Sequence, residues 1–252
     1  MDPRLWLSHP ASPTTTEELA LLTPMPYCSL VGSLVYLAVG TRLDIDYAIY
    51  QLCRYLDCYL TVHWEGVKCV VQYLKGTHDL ALTLGGDHPA RLLSHTDYNF
   101  AVCVDTCCSV SSFCFSLGLS VVTWCSRQQC LPSLSSCEAE FITASKATQE
   151  VLWLCLLLAA IGFPQLTTTP LLYNNWSAIT LTEDHIFDLH MHHVEKKYLH
   201  IQHHVHFSHF KLVDIHSSFN LADIFTKALP RSSFINLCDC LGLSTSSISG
   251  ES

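Results

Sequence analysis

Three apolar runs of strand length, followed by one long helical pattern, constrain the fold more than any other feature of this sequence. The runs span residues 91–96, 111–117 and 119–125. Gly118 stands between the last two, and short apolar runs joined by turn residues are typical of consecutive antiparallel strands. Ser135 and Glu138 have the spacing of a capping box, which opens a helical pattern that ends at Gly162. The chain is therefore expected to form a sheet and then cover it with a helix.

The remainder of the C-terminal half alternates between strand and helix patterns. Short apolar strands are predicted at 171–174 and 211–215, with a helix-like stretch up to residue 182 and a His-rich helix between them. Asn220 is placed to cap a last helix that runs to Leu229. Strands first, then alternating helices and strands, indicate an α/β domain with a mixed sheet.

The N-terminal third is predicted to be mostly helical. Apolar residues recur at helical spacing over 44–59 and again over 63–74, and Gly76 is placed to stop the second helix. A short strand is expected at 80–84. The turn-like residues that follow it, 85–90, are the expected domain boundary. With 252 residues the chain is long enough for two small domains, each with its own core.

The apolar runs, the N-terminus and the cysteines indicate in which cellular compartment the chain is expected. The longest apolar run, 151–163, is about a dozen residues, whereas a membrane-spanning helix needs roughly 20, so a buried helix is expected. The N-terminus lacks a basic segment followed by an apolar stretch, which favours a cytoplasmic or nuclear location with no signal peptide or membrane contact. The fourteen Cys are then expected to be free thiols, because their spacing forms no pair of CxxC knuckles.

Three acidic residues fall near the ends of predicted elements. Asp97 directly follows the first strand of the second domain, Glu140 lies one turn into the long helix, and Asp223 lies in the first turn of the last helix. Hydrolysis of a phosphodiester by two metal ions needs three or four converging carboxylates, because Mg²⁺ prefers oxygen ligands. Acids in such positions are more commonly caps or solvated charges, so spacing alone does not decide between the two roles.

Two longer motifs carry a resemblance to a known family. The segments SCEAEF (136–141) and LADIFTKALP (221–230) are similar to the helix-opening and closing motifs of ribonuclease H domains in copia-type LTR retrotransposon Pol polyproteins. The segments at 27–49 and 73–77 resemble the part of the same polyproteins that follows the polymerase palm. The resemblance implies an α/β, ribonuclease H-like mixed sheet with flanking helices, preceded by a small, mostly helical reverse-transcriptase remnant.

The resemblance also implies how the chain is divided. It implies an extended lead-in at 1–26, the reverse-transcriptase remnant at 27–87, the ribonuclease H-like domain at 90–230, and a C-terminal helix with a disordered tail at 231–252. No polymerase activity is expected, because the paired aspartates of the palm should precede this region. Asp44 and Asp46 are interpreted as helix-start charges rather than metal ligands.

Site residues follow from the same resemblance, position by position. Asp97, Glu140 and Asp223 match three metal-ligating carboxylates, with Glu138 as a less favoured neighbour of Glu140. The remaining ligand position falls on Asn174, where an amide replaces the carboxylate. The family hydrolyses the RNA of RNA–DNA hybrids with Mg²⁺ or Mn²⁺. Losing one negative ligand should lower both metal affinity and activity, so we expect weak or absent catalysis.

Several arginines expected from the resemblance are also replaced, which indicates a degenerate copy of the family. Cys28, Cys69, Gln72, Cys107 and Cys155 stand where the family usually carries Arg, and single C-to-T or G-to-A transitions make these changes. Only 13 Lys and Arg remain against 22 Asp and Glu, a net charge of −9. Phosphate binding usually needs clustered cations, so any binding of nucleic acid should be weak.

Other functions remain open from the sequence. The first alternative is a noncatalytic scaffold that binds nucleic acid or protein. The second is a zinc-binding protein, because ten of the fifteen His lie between His185 and His216, and His200 and His204 share a helix face. No HExxH motif supports zinc catalysis, and no GxSxG or Cys nucleophile motif supports a hydrolase of the serine or cysteine type.

Overall fold

The computed structural model describes residue 7 and residues 24–85, 89–103, 105–174 and 195–245. The chain forms two compact units, one made of Met1–Thr83 with Lys227–Ser252 and the other of Leu84–Thr226. Most of the lead-in, the helix-like stretch up to residue 182 and the first half of the His-rich segment lie outside the described residues. Each unit has its own hydrophobic core, as the length of the chain suggested.

In the described part of the first unit, three helices supply most of the core. They are α1 (Tyr27–Gly40), α2 (Asp46–Cys53) and α3 (Thr61–Gly76). Helix α3 ends at Gly76 as predicted, whereas α2 ends six residues before the end of its apolar pattern. The aromatic residues beyond α2 lie in turns instead of a helix. Buried Tyr55 stacks on His63 at 4.1 Å, and half-buried Tyr59 stacks on Tyr27 at 4.4 Å, between ring centroids.

The two ends of this unit pair with each other. Strand β1 (Leu80–Leu82) runs antiparallel to β7 (Leu243–Thr245), which follows helix α6 (Arg231–Cys240). The short strand is confirmed at its predicted place, although its partner lies more than 150 residues away in sequence. Nothing in so short a C-terminal segment predicted the pairing.

A buried ion pair joins the start of α2 to the end of α3. The Arg42 guanidinium donates two hydrogen bonds to the Asp44 carboxylate, at 2.9 and 2.7 Å, and two more to the carbonyl and hydroxyl of Thr77. The Tyr73 hydroxyl donates to Asp44 at 2.7 Å, and burial followed by the Asp44 charge raises the pKa of that phenol. Asp44 is 5% exposed, so it is a buried partner of Arg42 and not a solvated helix-start charge.

Asp44→Asn should therefore destabilise the first unit. Breaking a buried pair from one side leaves the other charge uncompensated, and we expect the free energy of unfolding to fall by about 3 kcal/mol. Asp46→Asn, in the first turn of α2, is the matched control and should cost less than about 1 kcal/mol. Chemical denaturation of the two variants measures the difference, and equal losses would contradict the assigned role of Asp44.

The second unit is built on one mixed sheet in the order β4–β3–β2–β5–β6. The strands are β2 (Leu92–Asn99), β3 (Val110–Leu117), β4 (Ser120–Gln128), β5 (Thr169–Tyr173) and β6 (Phe210–Asp214). The first three are antiparallel neighbours, and β5 and β6 run parallel to β2. The expected mixed α/β sheet is confirmed. Strand β2 lies at its centre, with β3 on one side and β5 on the other.

Among the described residues of this unit, two α-helices accompany the sheet. Helix α4 (Ser136–Ala160) begins with the predicted cap, since the Ser135 hydroxyl accepts from the Glu138 amide at 3.1 Å. Helix α5 (Glu195–His206) precedes β6. Among the described residues, α4 alone is long and apolar enough to cross a membrane. Half of its most apolar window is buried, however, and its buried side packs on the sheet through Phe141, Ala144 and Val151.

The last predicted helix of this unit is wrong in type and length. Asn220 does cap the segment, because its side-chain oxygen accepts from the Ala222 amide at 3.1 Å. The segment that follows is a 3₁₀ turn, Leu221–Phe225, instead of an α-helix to Leu229. The carbonyls of Ala222 and Phe225 accept from strand hydroxyls, at Ser112 and Ser126 respectively, so they take up the acceptors that a continuing helix would use.

Buried His95 on β2 makes the stability of this unit depend on pH. Burial lowers the pKa of its imidazole to about 4, against about 6.5 for an exposed histidine. Below pH 6.5 the unfolded chain takes up a proton that the folded chain excludes until pH 4. The contribution of this neutral imidazole is thus fully present above pH 6.5 and is lost as the pH falls through that window.

We expect His95 to account for about 2 kcal/mol of lost stability between pH 7.5 and pH 5. The variant His95→Gln should show a correspondingly smaller pH dependence, whatever its stability at pH 7.5. His78→Gln, at an exposed position, controls for the other histidines. Urea denaturation at both pH values measures the difference, and an unchanged slope in His95→Gln would refute a neutral, buried His95.

Candidate active site

The candidate site is centred on Asp97, near the end of the central strand. Asp97 was expected directly after β2, but it lies inside the strand, paired with Ser112 of β3. Its side chain is 4% exposed. A buried carboxylate is stable only where hydrogen-bond donors replace the lost water, so its partners define the site.

Both oxygens of the Asp97 carboxylate accept a hydrogen bond. Asn174, which directly follows β5, donates its side-chain amide to Oδ1 at 3.3 Å. The Thr226 hydroxyl, just after the 3₁₀ turn, donates to Oδ2 at 2.5 Å. The parallel pairing of β2 with β5 explains the first contact, because the carboxyl ends of parallel neighbours lie at the same edge of the sheet. The structure therefore brings two of the predicted site residues, Asp97 and Asn174, into direct contact.

The 3₁₀ turn that carries Asp223 is tied to this part of the sheet. The Ser112 hydroxyl donates to the Ala222 carbonyl at 3.0 Å, and the Asn99 amide donates to the Thr226 carbonyl at 3.1 Å. Asn220 donates its side-chain amide to the Thr96 carbonyl at 2.8 Å. Asp223 is half-buried within this turn, and these side-chain-to-backbone hydrogen bonds hold the turn against the sheet.

Glu140 is fully buried near the start of α4. Its charge acts on Tyr173, the residue before Asn174: burial first, and the Glu140 carboxylate second, raise the pKa of the Tyr173 hydroxyl well above its usual range. Glu140 also contributes, after burial, to raising the pKa of the Cys137 thiol to about 11. Glu138 caps the same helix through the Leu134 amide, which agrees with Glu140 as the better site candidate of the two.

The arrangement of these residues does not fit a two-metal centre as it stands. In the part of the chain that the structure describes, no group of three or more His, Cys, Asp and Glu side chains is placed to hold a metal ion. Asn174 presents an amide nitrogen to Asp97, and a nitrogen that carries protons cannot be a metal ligand. Both oxygens of Asp97 thus accept hydrogen bonds from neutral donors in this structure.

Sequence reasoning missed Thr226 and the serine and asparagine side chains that anchor the turn. Thr226 lies within the closing motif, three residues after Asp223, and its hydroxyl also contacts the Asp223 carbonyl at 3.2 Å. A hydroxyl residue next to a proposed metal ligand was the available signal. It is a weak one, because Ser and Thr are common after any turn.

The comparison with sequences of known proteins identifies the family. No family model matches the chain. The chain is 34% identical over 234 residues to the retrovirus-related Pol polyprotein from transposon TNT 1-94 of Nicotiana tabacum. The match covers 93% of this chain and 17% of the polyprotein. It is 32% identical to the polyprotein from transposon RE2 of Arabidopsis thaliana, over 87% of this chain and 15% of that one. The chain spans about a sixth of the length of these relatives.

Two further similarities involve shorter proteins. The chain is 35% identical over 130 residues to secreted RxLR effector protein 161 of Plasmopara viticola, covering 52% of this chain and 92% of the effector. Among solved structures, LC11-RNase H1, isolated from compost, matches with a TM-score of 0.42 and 11% identity, over 54% of this chain and 92% of that one.

The second unit is an α/β domain of the ribonuclease H-like class. Along the chain, three antiparallel strands are followed by a long helix and two parallel strands, and the five strands form one mixed sheet in the order β4–β3–β2–β5–β6. The chain belongs to the family of retrovirus-related Pol polyproteins from transposons, which confirms the resemblance carried by its motifs.

Thr226→Val tests the role of the missed hydroxyl. Valine keeps the shape of threonine but removes the donor to Asp97, and a hydrogen bond to a charged group contributes about 1.5–3 kcal/mol. We expect the free energy of unfolding at pH 7 to fall by about 2 kcal/mol in Thr226→Val. Thr226→Ser keeps the hydroxyl and should lose less than about half of that. Equal stability of both variants, measured by urea denaturation, would show that the hydroxyl contributes nothing to holding Asp97.

Proposed function

We propose that this chain descends from a ribonuclease H that cleaved the RNA strand of RNA–DNA hybrids with two divalent metal ions, Mg²⁺ or Mn²⁺, and that its own activity is weak or absent. Asp97, Glu140 and Asp223 are the proposed remaining metal ligands, and Asn174 occupies the position of the lost one. Family membership, the mixed sheet and the positions of these residues at the end of β2, near the start of α4 and in the 3₁₀ turn support the assignment.

A single contact carries the proposal of weak activity: the hydrogen bond from Asn174 to Asp97. A carboxylate at position 174 would stand about 3 Å from Asp97 and would need a cation or a shared proton between the two charges. The Asn174 amide removes that need, because it satisfies Asp97 by donation. The same exchange removes one negative charge from a site that has to attract two dications.

The charge of the chain supports weak binding of the substrate. A net charge of −9 opposes the approach of a hybrid backbone, and 13 Lys and Arg offer few phosphate contacts. Any RNA–DNA hybrid or other nucleic acid should therefore bind weakly and lose affinity steeply as salt rises. All fourteen cysteines are free thiols in the structure, which supports a cytoplasmic or nuclear location.

Asn174→Asp should restore a metal requirement. The new carboxylate repels Asp97, so we expect this variant to melt at a lower temperature than the unmodified chain when no metal is present. Addition of Mg²⁺ should raise the melting temperature of the variant and leave that of the unmodified chain unchanged. We also expect Mg²⁺-dependent cleavage of an RNA–DNA hybrid to increase at least tenfold in Asn174→Asp. Differential scanning calorimetry and a gel assay with a labelled hybrid measure the two effects.

Two matched variants make the result specific. Asn174→Ala removes the donor without adding a charge and should gain neither Mg²⁺ stabilisation nor cleavage. The double variant Asp97→Asn with Asn174→Asp should lose both gains. Efficient cleavage by the unmodified chain that disappears in Asp97→Asn would overturn the proposal of weak activity, and absence of any Mg²⁺ effect in Asn174→Asp would overturn the site assignment.

A noncatalytic scaffold that binds nucleic acid or protein is the second candidate. The hydrogen bonds to both oxygens of Asp97 favour it, because they let the domain keep its fold with no metal bound. The two candidates differ in a simple measurement. A scaffold should bind a hybrid or a protein partner equally well with and without Mg²⁺, and Asn174→Asp should leave that binding unchanged.

A further inference from the structure

The end of helix α5 brings four imidazoles together, those of His200, His203, His204 and His209. His200 and His204 lie one turn apart on the same face, with ring centroids 4.7 Å apart. His209, just before β6, lies beside them: its Nδ1 is 2.8 Å from Nδ1 of His204, and the two ring centroids are 5.1 Å apart. The two Nδ1 atoms thus face each other at hydrogen-bond distance.

The backbone fixes the position of His209. Ser208 has a φ of 57°, in the left-handed region, and this residue reverses the chain at the end of α5. The Ser208 amide donates to the Val205 carbonyl at 2.9 Å, and the His209 amide donates to the His204 carbonyl at 3.0 Å. The approach of the two rings therefore follows from the way the helix ends, and not from the rotamer of a side chain alone.

The neighbouring rings of the cluster act on His204. Burial, and then the neighbouring rings of His200, His209 and His203, lower the pKa of His204. A neutral imidazole has one ring nitrogen with a free lone pair, which is the form that binds a transition metal. The Nε2 atom of His200 is buried with no hydrogen-bond partner, so a third ring nitrogen at this place is not committed to the protein.

We propose that His204 and His209 bind a zinc ion through their Nδ1 atoms, with His200 as the nearest third imidazole and water completing the coordination. Zinc–nitrogen bonds of 2.0–2.1 Å at a tetrahedral angle place two ligand nitrogens about 3.3 Å apart. The present separation of 2.8 Å has to open by about half an ångström, which rotation of two surface side chains supplies. No three-ligand group among the described residues is ready without such movement, so binding includes this adjustment.

The proposed site is independent of the Asp97 site and differs from it in chemistry. It offers imidazole nitrogens and no carboxylate, which suits zinc and gives Mg²⁺ no ligand that it prefers. The ring that donates the present hydrogen bond has to move its proton from Nδ1 to Nε2 when zinc binds, and the net charge of the neutral pair does not change.

Calorimetric titration of ZnCl₂ into the full chain at pH 7.5 tests the proposal. We expect His204→Gln and His209→Gln each to weaken binding at least tenfold or to remove one site. His206→Gln is the matched control, because His206 is exposed on the same helix and lies outside the His204–His209 pair. This control should stay within twofold of the unmodified chain, and MgCl₂ should give no binding at this site.

Melting temperatures measured with and without ZnCl₂ provide a second readout. The unmodified chain and His206→Gln should be stabilised by zinc, and the His204 and His209 variants should not. Since these positions are at least partly exposed, the variants should fold. Equal loss of affinity in all three variants would mean diffuse binding by a His-rich chain and would overturn the proposal. Unchanged affinity in both His204→Gln and His209→Gln would overturn it as well.

Discussion

The charge of Asp97 has to be balanced inside the sheet, and the structure around it meets that requirement. A carboxylate that is 4% exposed costs several kcal/mol unless donors replace its water. Asn174 and Thr226, which are 77 and 129 residues further along the chain, donate to its two oxygens. These two hydrogen bonds form when β5 and the 3₁₀ turn have both reached the central strand. The Asp97 carboxylate on β2 thus links the end of β5 and the segment after the 3₁₀ turn to the central strand.

The same demand explains why the closing segment is not a helix. An α-helix to Leu229 would use the carbonyls of residues 221–225 for its own amides, but two of them, those of Ala222 and Phe225, accept from serine side chains on the strands. The Thr226 carbonyl accepts from Asn99. Each of the two serine bonds replaces a local one with a contact to the sheet. The segment keeps the tighter i→i+3 pattern and holds Thr226 where it can reach Asp97.

Local signals in the sequence predicted much of this fold. The helix cap at Ser135 and the glycine at 118 have short-range physical causes, and both appear where predicted. The reciprocal half of the capping box differs, because Glu138 accepts from the Leu134 amide. The type of the closing segment and the pairing of β1 with β7 depend on partners far away in sequence, which periodicity does not reveal. Asp97 and Asn174 were paired only because the motifs supplied a resemblance, since neither residue has a distinctive local pattern. Thr226 was missed because one hydroxyl after a turn has no distinguishing spacing.

An amide at position 174 affects the fold and the proposed chemistry in opposite directions. Two facing carboxylates need a cation or a shared proton, whereas an amide facing a carboxylate forms a hydrogen bond and needs neither. The fold then keeps its stability without metal, while the charge that would attract dications falls. Four of the five positions proposed to have lost an arginine, Cys28, Cys69, Gln72 and Cys107, are exposed, so those changes leave the core intact. A chain can accumulate such substitutions and lose affinity for nucleic acid before it loses its structure, because the contacts that stabilise the sheet lie in the buried core and not at these exposed positions.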